Sequence, residues 1–172
     1  INIWPGYHDA SIYGLAIDLG STTIAAHLTD LGSGKVIGSS GVMNPQIRFG
    51  EDLMSRVSYA MMNADGAEAM TAEVRKAIDK LVINLAESAS INKEDILEAV
   101  FVCNPVMHHL LLGIDPAELG QAPFALATSG SIYLNAKDLN LLSLIDDARI
   151  YLLPCIAGHV GADAAAVALS EP

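Results

Sequence analysis

The chain has 172 residues, with 9 Lys and Arg against 20 Asp and Glu and a formal net charge of −11. That balance excludes nucleic acid or an anionic membrane surface as the main partner, because both demand a net cationic face. With 52% apolar and only 17% charged residues, the chain is not disordered, and its length suits one domain with a sizeable core.

Residues 1–12 have no clear period and read as a linker or lead-in. Ile1 to Gly6 lack a basic start and a long apolar core, so they are not a signal peptide. The chain does not start with Met and ends in Leu169-Ser170-Glu171-Pro172 while a helical pattern is running. The expectation is a piece of a longer cytoplasmic protein, with a domain at 13–172 truncated at its C-terminus. No run approaches the roughly 18 apolar residues of a membrane span.

Tyr13 to Leu19 is an apolar run that ends in a tight turn, and it predicts a buried strand. Thr23 to Leu31 predicts a second strand, Leu31 to Gly34 a hairpin turn, and Lys35 to Met43 a third strand that stops at Asn44-Pro45. Glu51 to Met62 reads as helical. Asp65 and Glu68 then fit a capping box. After them Met70, Val74, Ile78, Leu81 and Leu85 recur at helical spacing with charges between them. Ile96 to Cys103 predicts a fourth strand. Asn104-Pro105 opens a helix that stops at Gly113. Residues 115 to 148 give no firm pattern beyond a short helix at Lys137 to Leu144. Arg149 to Leu153 predicts a fifth strand, and a glycine-rich turn leads into a helix from Ala162.

The order is βββαβαβα. Tight turns imply antiparallel pairing, and strand–helix–strand crossovers imply parallel pairing. The prediction is an α/β fold of the ribonuclease-H-like type: a mixed five-stranded sheet with helices on both faces and central strands covered on both sides.

Two turns carry the candidate chemistry. In the first, Asp18 ends a strand and Gly20, Ser21, Thr22 and Thr23 follow. Backbone N–H groups and hydroxyls there can face a phosphate, and a carboxylate at a strand end can hold Mg²⁺ through water. The alternative is a plain hairpin turn. In the second, Gly158 and Gly161 precede a helix with Asp163 in its first turn. That is an anion site or, in the alternative, a simple helix cap. In the predicted sheet the two turns lie side by side, which favours a shared phosphate site with Asp163 as a second carboxylate.

Arg48, in the polar loop from Asn44 to Asp52, is placed to meet a ligand anion or a partner domain, or to pair with Glu51 or Asp52. His108 and His109 are adjacent on a helix and point about 100° apart, so they do not chelate as residues at i and i+4 would. Cys103 and Cys155 stand 52 positions apart. They supply no Cys-x-x-Cys motif and no four-cysteine cluster site, and they read as small core residues.

Gly14 to Thr23 resembles the first phosphate motif of the acetate and sugar kinase, chaperone and actin (ASKHA) superfamily. Asn44 to Tyr59, Asn104 to Pro116 and Tyr151 to Asp163 are similar to the reductive activators of corrinoid proteins, over nearly all of residues 13 to 169. The resemblance implies one half of an ASKHA-type pair, taken from a protein that also carries a two-iron ferredoxin domain. In that whole protein, ATP use drives electron transfer to cob(II)alamin in a partner, a corrinoid protein or corrinoid-dependent methyltransferase. It implies catalytic roles for Asp18 and Asp163. It implies phosphate contacts at Gly20, Ser21, Thr22, Thr23, Gly158 and Gly161, and a partner or anion contact at Arg48 or Asn104. ATP with Mg²⁺ is the implied cofactor, Asp18 reaching the metal through water, and a homodimer is open. The chain departs from the family at Cys103 to Met107, where Gly-Asn-Thr-Thr-Met is usual. A small-molecule kinase or acyl-CoA dehydratase activator of the same superfamily is the second reading, and a non-catalytic docking or dimerisation module the third.

Overall fold

A computed structural model describes residues 11–170. Most of the expected lead-in, residues 1–10, lies outside the described residues, as do residues 171 and 172. The first three strands are β1 (Tyr13–Leu19), β2 (Thr23–Asp30) and β3 (Lys35–Met43). Two helices follow, α1 (Leu53–Met62) and α2 (Gly66–Ala89). Next come β4 (Ile96–Cys103), α3 (Pro105–Leu112), β5 (Ile132–Asn135), β6 (Arg149–Leu152) and α4 (Ala162–Ser170).

The strands form one sheet in the order β3-β2-β1-β4-β6-β5. β1 pairs antiparallel with β2 and β2 with β3, as their short turns require, while β1–β4 and β4–β6 are parallel across helical crossovers. The sheet has six strands, not five. The extra one, β5, lies in the segment that gave no firm pattern and pairs antiparallel with β6 at the edge. Four residues are too short a run for alternation to show. The helix expected at Lys137 to Leu144 is only a 3-10 turn, Ala136–Leu139, ended by Asn140 at φ 51°.

Strand alternation sorts the sheet into two faces. Leu15, Ile17 and Leu19 of β1 stand opposite Leu28, Ala26 and Ile24 of β2 and beside Ala99, Phe101 and Cys103 of β4. All nine are buried in one core with α2 and α3. Their outward neighbours are not covered in the same way: Ala16, Asp18 and His27 are exposed, and Val100 and Val102 are half-buried. The expectation that both faces of the central strands are covered is therefore corrected. The apolar run in β1 looked continuous because one outward residue is alanine.

The helix α2 places Met70, Val74, Ile78, Leu81, Val82 and Leu85 against the sheet, each 0–2% exposed. Each such side chain contributes about 1.5–3 kcal/mol of burial. The expected capping box at its start does not form. Asp65 makes no side-chain cap bond, since its backbone (φ −99°, ψ 11°) is not the extended form that aims a carboxylate at the first turn. The Asn104 cap of α3 does form, its side chain accepting from the Met107 N–H. The other end of α3 docks on α2: Thr71 donates to the Leu110 carbonyl, and Arg75 donates twice to that of Leu111. The helix α4 packs on β4, and its buried Ala162 lies outside the core cluster that α1, α2 and α3 share with the sheet.

Candidate functional site

The β1–β2 turn owes its shape to a close contact. Gly20 donates its N–H to the Thr23 carbonyl at 3.0 Å. A Cβ on Gly20 would lie 2.6 Å from that carbonyl oxygen, so only glycine fits. Glycine is needed here for the tight turn itself.

Beneath the turn is a polar platform. Asn44, Gln46 and Arg56 are each 0% exposed. Asn44 Nδ2 donates to the Gly20 carbonyl at 2.9 Å, and the Asn44 N–H donates to that of Thr22 at 2.8 Å. Arg56 Nη2 donates to the Ser21 carbonyl at 2.6 Å. Three consecutive carbonyl oxygens therefore point inward. In a trans peptide the N–H lies opposite the C=O, so the N–H groups of Ser21, Thr22 and Thr23 are turned away from the platform. Those of Ser21 and Thr22 have no hydrogen-bond partner among the described residues. Successive unpaired N–H groups in a turn make an anion-binding concavity.

The platform is itself locked. The Asn44 side-chain oxygen accepts from the Gln46 N–H, and Gln46 Nε2 donates to the Met70 carbonyl on α2. Arg56 Nε donates to the Gly50 carbonyl at 2.9 Å. Burial pushes the Arg56 pKa down, against a smaller upward pull from Asp52.

Asp18 stands at the exposed side of the same strand end. Partial desolvation raises its pKa, and the negative charge of Asp163 raises it further. The two carboxylates of the sequence analysis are thus within electrostatic reach of each other. Gly161 makes this possible: a Cβ there would lie 2.5 Å from Asn104 Cα and from the Cys103 carbonyl oxygen, so the chain entering α4 lies directly on the end of β4. The end of β4 is in turn the neighbour of β1, with Leu19 beside Cys103.

Gly158 and His159 are placed elsewhere. They are the central residues of a tight turn closed by the Ala157–Val160 bridge. Gly158 sits against the Phe124 carbonyl, and the His159 ring packs on Phe124 with centroids 4.4 Å apart. Arg48 pairs with Glu73 of α2 at 3.2 Å and lies over the Phe49 ring, so it meets neither Glu51 nor Asp52. The side-chain oxygen of Asn104 is taken by its helix cap. His108 and His109 are buried, and His109 bridges the Pro105 carbonyl and the Ala127 N–H. Cys103 and Cys155 are buried and free; burial is the main cause that pushes both thiols up.

The sequence reading missed Asn44 and Arg56 as parts of this site. One signal was available: Arg56 falls at helical spacing between Leu53 and Ala60, on a face that should be apolar.

Asp18 and Asp163 are the side chains here that could contribute to holding a hard cation. Among the described residues no group of three or more His, Cys, Asp or Glu side chains is arranged to hold a metal ion. Of the hard cations, Mg²⁺ would ask least of two carboxylates, because it keeps most of its waters and is bound by one or two carboxylates together with phosphate oxygens. An iron–sulfur cluster does not fit this chain, whose two cysteines are half of the usual four ligands. Among the described residues no helix is long and apolar enough to cross a membrane.

The family model described as the RACo middle region matches residues 13–171. The corrinoid activation enzyme RamQ of Eubacterium limosum is 32% identical over 161 residues, which is 94% of this chain and 27% of the relative. A solved structure of a reductive activator for corrinoid, iron-sulfur protein matches with a TM-score of 0.88 and 35% identity, covering 92% of this chain and 25% of that one. The chain thus spans about a quarter of the length of the relatives it matches.

Proposed function

The chain belongs to the RACo middle-region family, and on that premise we propose that it is the phosphate-binding half of an ATP-using reductive activator of a corrinoid protein. The observation that carries the reading is the β1–β2 turn, whose carbonyls are tied inward and whose Ser21 and Thr22 N–H groups are unpaired. These N–H groups would receive phosphate oxygens. Asp18 and Asp163 would hold Mg²⁺ through its water shell. Gly161 would keep the second carboxylate close to the first. The boundary at residue 13 fits the start of β1 and of the family match.

ATP supplies the driving force for an otherwise uphill electron transfer to cob(II)alamin. The electron source would be a two-iron cluster in another part of the full-length, cytoplasmic protein. A second ASKHA half would close the nucleotide site from above. The exposed position of the turn supports that arrangement, since Thr22 and Thr23 lie at the surface. The partner would be a corrinoid protein or a corrinoid-dependent methyltransferase.

The test is ATP turnover by the full-length protein with Asp18→Ala. Loss of turnover with the fold intact is expected. Wild-type turnover in that variant would overturn the assignment of the metal-side carboxylate and, with it, the proposed site.

A further inference from the structure

Arg56 is a buried cation without a buried anion among the described residues. It is 0% exposed, and the ion pairs found among the described residues, Arg48–Glu73 and Lys137–Asp147, do not include it. The acid that influences it, Asp52, is at the exposed start of α1, where its carboxylate caps the helix by accepting from the Ser55 N–H. A guanidinium stays ionised in proteins, and an uncompensated buried charge is costly. Its hydrogen bonds go to neutral groups: the carbonyls of Gly50 and Ser21, and Gln46 Oε1 and Met107 Sδ, each at 3.5 Å.

The Ser21 contact gives this charge a route to the surface. The Ser21 carbonyl and the Thr22 N–H belong to one planar peptide unit and point in opposite directions. A cation bound at the oxygen, 2.6 Å away, polarises that unit and strengthens the N–H as a donor on the far side. The same contact fixes which way the peptide faces. A peptide flip at this position would turn a carbonyl toward the anion and leave Arg56 without its shortest bond.

We propose that Arg56 is a positioning residue for a nucleotide phosphate, acting through the Ser21–Thr22 peptide. Its guanidinium holds the carbonyl inward so that the Thr22 N–H meets the phosphate, and the bound phosphate is the counter-charge that Arg56 otherwise lacks. This rests on the reading of the β1–β2 turn as a phosphate site.

The experiment compares Mg·ATP with adenosine as probes, by calorimetry on the full-length protein, for wild type, Arg56→Lys and Arg56→Met. Arg56→Met is expected to weaken Mg·ATP binding about tenfold or more, the scale of a lost charge-assisted hydrogen bond, while adenosine affinity changes little. Arg56→Lys keeps the charge but cannot span Gly50 and Ser21 together, so it should fall between the two and serves where the Met variant does not fold. Equal losses for Mg·ATP and adenosine would mark a merely structural role and overturn the inference, as would wild-type discrimination in the Lys variant. Absence of Mg·ATP binding by the wild type is a different result: it would overturn the phosphate-site reading itself.

Discussion

Asn44→Ala tests the platform beneath the β1–β2 turn. The Asn44 side chain is wholly buried, donates to the Gly20 carbonyl and accepts from the Gln46 N–H, both at 2.9 Å. Truncation leaves one acceptor and one donor without partners. Each unsatisfied buried group costs about 1–3 kcal/mol. Gly20 is partly accessible to water, so the lower half of the combined range applies, about 3 kcal/mol. With a urea m-value of about 2 kcal/mol/M, the unfolding midpoint should fall by about 1.5 M. A fall of less than about 0.5 M would refute the idea that these two bonds hold the turn.

Two further predictions concern pH. Asp18 has its pKa raised above 3.8 by desolvation and by Asp163. Its charged form is thus disfavoured by folding, so its contribution is intact below the unfolded pKa and is lost as pH rises through the folded value. Asp18→Asn should raise the melting temperature at pH 7, with a gain that shrinks as pH falls toward 3.8; a constant gain across that range would contradict the carboxylate coupling. His108 is held neutral by burial, with a pKa lowered to about 4, and neither ring nitrogen has a partner among the described residues. Its unfolded form binds a proton near pH 6.5 and its folded form does not, so stability should decline as pH falls from about 6.5 to 4. His108→Leu should flatten that decline and at pH 7 be neutral or stabilising, since it removes two unpaired polar atoms; denaturant midpoints at pH 7 and 5 check both.

The elements that were legible in the sequence are those whose signal lies within one element. The spacing of Met70, Val74, Ile78, Leu81 and Leu85 is a property of a single helix, and that helix is present as read. Asn104-Pro105 and Gly113 are local start and stop signals, and α3 obeys both, ending with Gly113 at φ 79°. The strand β5 was not legible because its four residues are specified by pairing with β6, a partner some 17 residues away. The Asp65 cap failed for a related reason. Residue type permits a cap, but the backbone at Asp65 (φ −99°, ψ 11°) is not the extended form a cap needs, and residue type alone does not reveal those angles.

The candidate site divides along the same line. Asp18, the Gly20 turn and Asp163 are visible as short strings, and the topology brings them together because β1 and β4 are neighbours and α4 starts on the end of β4. What turns the N–H groups of the hairpin outward is not in those strings. Asn44 and Arg56 reach Gly20 and Ser21 across 24 and 35 positions, and both do so with side chains buried under the hairpin. Arg48 drew attention because it stands in an exposed polar loop, where an arginine meets solvent or a convenient acid, and it pairs with Glu73. Arg56 occupies a position where helical spacing calls for an apolar residue. A cation there is costly unless the structure compensates it, and the proposed role of Arg56 rests on that cost, where an exposed arginine carries none.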